Sequence, residues 1–337
     1  MALFGRRLLI IVLAHLLCAS VLIAQGSADQ DDVIRTETDV TNLPFTVTDQ
    51  QRRYITTIKA EDVRVLEDGV QQQLFTFQRE TDRPLSIAFL IDVSISQKKT
   101  LGAEKGAARG FIEKAIQSRK DQVAIVPFTG LAFLELPLTR DVLNVYRVLQ
   151  QIEVAEPAYQ GAGRPLSGIK TGPGLPAPPP EGTTAIWDAV ALTASQVLAR
   201  TQDQRRRAII LLTDGLDTTS RLKRSEAIES VLGAEAVVYA MGIGDSSGEG
   251  VNKGAIRDLV ERTGGRAFFP KTEVDLEAAF TEIEQELRTQ YLIAYSSSNK
   301  RRDGTYRKIT IEITNPDLKK EKLAIRHRPG YFAKRGT

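Results

Sequence analysis

Four apolar runs, LSIAFLID (85–92), QVAIVPFT (122–129), RRAIILLTD (206–214) and AEAVVYAMGIG (234–244), carry almost no internal polar alternation. Strands that read this way are buried on both faces, the condition of a parallel sheet covered by helices. Amphipathic stretches of helical length accompany them at 99–118, 141–154, 185–201, 221–232 and 253–263. The pattern predicts a doubly wound α/β domain over residues 84–289, with a mostly parallel, Rossmann-like sheet.

The flanks follow another period. Residues 29–83 contain short alternating runs such as VRVLEDG and QLFTFQ, and Asp68-Gly69 is their clearest hairpin turn. After the helix-like VDLEAAFTEIEQELRTQ, strand patterns return in YLIAYSS, YRKITIEIT and KLAIRHR, within 290–337. Neither flank alone supplies enough strands for a stable sheet. The two are therefore expected to pair into one small β-sandwich-like domain, with the α/β domain inserted between them. One stretch, 156–182, has no period and is rich in Gly and Pro. A loop of that length is functional or mobile.

The first 28 residues read as an export signal. Arg6 and Arg7 precede an apolar run from Leu8 to Ala24, and small and polar residues follow. Cleavage after Ala24 or after Ala28 fits equally. A retained anchor is the alternative, but the run is short for a membrane span and contains His15. Leu17 stands before Cys18 where a lipoprotein signal carries a small residue. The expected location is periplasmic or extracellular, with no membrane span after cleavage.

Composition then narrows the chemistry. Cys18 is the single cysteine, and His15 and His327 are the two histidines. Without its leader the chain holds no cysteine and only His327, which excludes disulfides, thiolate catalysis and a Cys/His metal cage. The formal charge of +3 includes Arg6 and Arg7, so the remainder is nearly neutral and implies no nucleic-acid partner. What is left for chemistry is oxygen.

Ligands of open parallel sheets bind outside the carboxyl ends of the strands. The first strand ends in Asp92-Val93-Ser94-Ile95-Ser96 and the third in Thr213-Asp214-Gly215-Leu216-Asp217, while Thr183 and Thr184 precede the helix at 185. Singly, each is accounted for as a helix cap or turn. Together they deliver hard oxygen ligands to one rim, a donor set suited to Mg²⁺ or Mn²⁺.

DVSIS, GTTA and LLTDGLD, in that order, resemble the three loops of the metal-ion-dependent adhesion site in von Willebrand factor type A domains. The likeness covers about 84 to 290. It implies that Ser94 and Ser96 bind a metal directly and that Asp92 does so directly or through water. It also places Thr184 in the second loop and Asp214 in the third. Thr184 is preferred to Thr183 because bacterial members often read Gly-Gly-Thr-Ala. Ile95 stands where many of them have glycine. The flanks, with EDVRVLEDGVQQQLFTFQRE and a closing RPGYFA, resemble a group of exported acidobacterial type A proteins.

The resemblance implies a binding module in which an acidic side chain of a protein partner completes the metal's coordination. One alternative is a structural or envelope-assembly protein whose metal only stiffens the fold. A metal-assisted hydrolase lacks a nearby acid–base residue, so no enzyme activity is expected. The 156–182 loop, leading into Thr184, is expected beside the rim.

Overall fold

The computed structural model describes residues 40–79, 83–116, 120–155, 161–166, 183–201, 205–244 and 250–336. The leader expected at 1–28 and the larger part of the 156–182 stretch lie outside them. Among the described residues, no helix is long and apolar enough to cross a membrane. Asp39–Thr337 forms one compact unit.

The chain enters as β1 (Val40–Thr48), β2 (Val63–Glu67), β3 (Val70–Gln71) and β4 (Leu74–Arg79). Asp68 and Gly69 join β2 to β3 with φ of 49° and 83°. Two left-handed residues are what a type I′ hairpin requires, so the Asp-Gly pair sets this turn. The α/β portion follows as β5 (Leu85–Asp92), α1 (Leu101–Ala115), β6 (Gln122–Phe128), β7 (Phe133–Leu134), β8 (Leu136–Thr139) and α2 (Val142–Gln151). It continues through β9 (Arg164–Pro165), α3 (Ile186–Leu192), β10 (Arg206–Thr213), α4 (Arg224–Gly233), β11 (Ala236–Gly242), α5 (Lys253–Thr263), β12 (Ala267–Phe268) and α6 (Glu273–Thr289). The last elements are β13 (Tyr291–Ser296), β14 (Tyr306–Ile313), α7 (Pro316–Lys320), β15 (Ala324–His327) and β16 (Gly330–Phe332).

The central sheet has the order β12-β11-β10-β5-β6-β8. Its strands run parallel except β8, which is antiparallel to β6. Every residue of β5 is buried. Ala88 and Leu90 pack on one face against residues of α3, α4 and α5, while Ile87, Phe89 and Ile91 pack on the other against α1, α2 and α6. With helices on both faces, no side of the strand is left for polar residues. The doubly wound α/β expectation is met. The antiparallel edge was not expected from the sequence; β8 carries Pro137, a residue that sheets tolerate at an edge.

The flanking strands form two four-stranded sheets, β15-β1-β13-β4 and β16-β14-β2-β3. Each mixes strands from both ends of the chain. Leu43, Phe45, Val47, Val65, Tyr291, Ile293, Tyr295 and Ile309 fill one core between them, with Phe45 stacked on Tyr291 at 5.1 Å. A polar knot lies in the same sandwich. Glu67, only 2% exposed, accepts hydrogen bonds from the hydroxyls of Tyr295 (2.9 Å), Tyr331 (3.0 Å) and Ser297, and pairs with Arg307 at 3.6 Å. Glu67 belongs to the first flank and all four partners to the second.

Removing Glu67 would strip the buried Arg307 of its buried countercharge, leaving only the half-exposed Asp303 at 3.4 Å, and would orphan three hydroxyls, a defect that costs roughly 2–5 kcal/mol. Glu67→Ala should therefore lower the urea midpoint by a matching amount. A loss below about 1 kcal/mol, the range of exposed ion pairs, would show that the knot does not join the flanks.

Candidate metal centre

After β5 the chain crosses to β6 on one side, and it later returns to β10 on the other side of β5. Where connections leave two neighbouring parallel strands in opposite directions, a crevice opens at their carboxyl ends. β5 ends there in Asp92, and β10, paired with it up to Leu212↔Ile91, ends in Thr213. The topology alone brings the first and third loops together.

Asp92 is 0% exposed. Its Oδ1 accepts the backbone N–H of Ser94 at 3.0 Å, and its Oδ2 accepts the hydroxyl of Thr213 at 2.7 Å. The buried Ser94 places its Oγ 3.0 Å from Ser96 Oγ, and the exposed Ser96 hydroxyl donates to Asp214 Oδ2 at 2.8 Å. Asp214 Oδ1 accepts the N–H of Leu216 at 2.9 Å, closing its own turn. Gly215 makes that turn with φ +80°, and a Cβ there would fall 2.8 Å from the Ile256 side chain. Ser94, Ser96 and Asp214 are thus linked into one row of oxygens, and Asp92 is tied to it through the Ser94 N–H. Thr213, which the sequence places at the same edge, supports the row by anchoring Asp92.

Thr184 is buried and held differently. Its N–H donates to Thr218 Oγ1 at 2.8 Å, and its carbonyl accepts the N–H groups of Thr218 and Thr219 at 2.8 and 3.1 Å. Those bonds fasten the second loop to the segment that follows Asp214. Asp217, also expected at this edge, instead accepts the N–H of Ile186 at 2.8 Å and the Ser220 hydroxyl, capping α3. The described part of the Gly/Pro-rich stretch, 161–166, pairs through β9 with β7.

Burial pushes the Asp92 carboxyl up to about 6, and Asp214 adds to the rise; the hydrogen bonds from Ser94 and Thr213 oppose it. A second buried acid escaped the sequence reading. Glu104, in the first turn of α1, is 0% exposed, and neither carboxyl oxygen has a hydrogen-bond partner. The signal was available: Leu101, Glu104, Ala108 and Phe111 share the buried face of α1 at helical spacing.

Among the described residues no group of three His, Cys, Asp or Glu forms a metal cage. The row mixes hydroxyls with carboxylates. A test of fit comes from its spacing. Ligand oxygens on adjacent corners of an octahedron of radius 2.0–2.1 Å stand about 2.9 Å apart. The hydrogen-bonded separations of 3.0 Å (Ser94–Ser96) and 2.8 Å (Ser96–Asp214) are compatible with that spacing, and the few hard oxygens of the row suit an ion that keeps several waters.

No family model matches the chain. An uncharacterised protein of Borreliella burgdorferi is 23% identical over 238 residues, which cover 69% of this chain and 61% of that relative's length. Among solved structures, the type A domain protein from Catenulispora acidiphila is similar over 89% of this chain and 74% of its own, at 12% identity and a TM-score of 0.45. An aerotolerance-related membrane protein of Bacteroides fragilis aligns over 60% of this chain and 98% of its own, at 20% identity and a TM-score of 0.44. Mussel byssus proximal thread matrix protein 1, with a zinc-occupied adhesion-site motif, aligns over 66% of this chain and 50% of its own, at 16% identity and a TM-score of 0.47. Strand order and the sequence of the loops decide the fold. It is von Willebrand factor type A-like.

The raised Asp92 pKa gives a signed expectation for metal-free protein. An acid whose folded pKa exceeds its unfolded value costs nothing below the unfolded value. The cost grows between about 3.8 and about 6, and then stays constant. Asp92→Asn keeps the shape without the charge. In chelator it should be more stable than the wild type at pH 7.5, by up to about 3 kcal/mol, and the advantage should vanish near pH 4. Urea midpoints at the two pH values measure it; an equal difference at both would refute the buried charge.

Proposed function

We propose that this chain is an exported binding protein, not an enzyme, whose type A domain holds one Mg²⁺ or Mn²⁺ and docks a protein partner through it. The observation that carries this reading is the Ser94–Ser96–Asp214 row of oxygens, contributed by two strand ends at 3.0 and 2.8 Å. Asp92, Ser94, Ser96, Thr184 and Asp214 would hold the ion, some of them through water. When bound, such an ion offers an open coordination position that a carboxylate of the partner can fill. Ile95 and Leu216, 49% and 44% exposed, sit on the same two loops and supply apolar contact beside that position. Binding is favoured over hydrolysis because the rim is built from hydroxyls and carboxylates already engaged with one another. His327, the remaining candidate base, lies on β15 in the sandwich. The leader sequence supports export to the periplasm or beyond.

Calorimetric titration of chelator-treated protein should show one site for Mg²⁺ and Mn²⁺ and weaker heats for Ca²⁺. Asp92→Ala should abolish the signal, and Ser96→Ala and Asp214→Ala should weaken it about 10-fold or more. Ile95→Asp should leave these heats intact while reducing metal-dependent capture of an acidic partner. Equal Mg²⁺ heats from wild type and Asp92→Ala would remove the basis of the reading.

A further inference from the structure

Glu104 is a carboxyl group with nothing to hold it. It is fully buried, both oxygens lack a hydrogen-bond donor, and no cation pairs with it among the described residues. The nearby Thr100 hydroxyl bonds Gln97, at 3.0 Å to Oε1 and 3.3 Å to the carbonyl, and its pull on Glu104 only partly offsets the burial. Buried polar groups in folded proteins are almost always satisfied, and an exception calls for an account. The charges that act on Glu104 point to one. Burial, against the pull of the Thr100 hydroxyl and with the charges of Asp92 and Asp214 adding to the rise rather than relieving it, brings its pKa to about 8. Helix α1 follows directly on the Ser94–Ser96 loop, through Gln97 N–H to Ser94 O (3.0 Å) and Glu104 N–H to Thr100 O (3.0 Å). Three acids from a strand end, a neighbouring strand end and a helix turn therefore share one water-poor region.

We propose that Glu104 belongs to the cation site as a buried countercharge beneath Asp92 and Asp214, a positioning residue that strengthens binding of a divalent ion without contacting it. This rests on the reading of the rim as a cation site. It goes beyond that reading by adding a residue outside the three loops. An opposite charge nearby is what Glu104 lacks, and a divalent ion held by Asp92 and Asp214 would provide it. The competing account is structural: Glu104 would serve only the equally buried Gln97, whose Nε2 also lacks a partner.

Thermal melts and Mg²⁺ calorimetry of the full chain separate the two. Glu104→Gln should melt higher than wild type in chelator, since an unsatisfied acid has been removed. It should bind Mg²⁺ about 10-fold or more weakly, so the gain in melting temperature on adding Mg²⁺ should shrink. Glu104→Met, apolar and of similar length, should do the same and carries the test if the amide variant folds poorly. If both variants bind Mg²⁺ as tightly as wild type, or if both fail to fold in chelator, the countercharge role is overturned while the rim stands. If wild type itself binds neither Mg²⁺ nor Mn²⁺, the rim reading fails first, and this inference with it.

Discussion

A carboxylate withdrawn from water at the tip of the central strand sets the terms for everything around it. Asp92 can occupy that position only because two donors meet it, one from its own loop and one from the neighbouring strand. The Ser94 N–H fixes the path of the first loop, and the Thr213 hydroxyl fixes the end of β10 against β5. Once both are in place, Ser96 and Asp214 have little freedom to be anywhere but side by side. The row of oxygens is thus a consequence of satisfying one buried acid.

The sandwich does corresponding work at the other end of the α/β portion. Tyr54, between β1 and β2, reaches Glu286 on α6 at 3.4 Å, and Tyr239 on β11 reaches the same carboxylate at 3.2 Å. Asn42 on β1 meets Glu235, just before β11, at 3.1 Å. These contacts tie the flanks to a helix and a strand start on the side away from the rim. The rim itself is left to the three loops.

Much of this was legible in the sequence because burial on both faces removes polar residues from a strand. The runs at 85–92, 122–129, 206–214 and 234–244 became β5, β6, β10 and β11 with end shifts of a residue or two. The hairpin at Asp68-Gly69 was legible because only a few residues tolerate left-handed backbone. Other features were written too briefly or in ambiguous residue types. β7 and β9 are two-residue strands, and β8 is a short edge strand carrying a proline. Asp217 has the composition of a ligand and the geometry of a cap, and no spacing rule separates the two. Glu104 lies away from the strand ends, on the inner face of a helix, where its periodicity alone marks it.

The pairing of the two flanks also dictates an order of events in making the protein. β1 finds its neighbours in β13 and β15, so residues near 45 wait for partners near 291 and 327. Contacts of such sequence separation form slowly, since the intervening loop must close before they are rewarded. At roughly 5–20 residues per second of synthesis, β1 stays unpaired for about 12–50 s. Its edges are open to foreign strands throughout that interval. The α/β portion, whose neighbours are closer along the chain, can fold first and bring the two ends together. In that sense the α/β portion acts as the splint on which the sandwich is assembled.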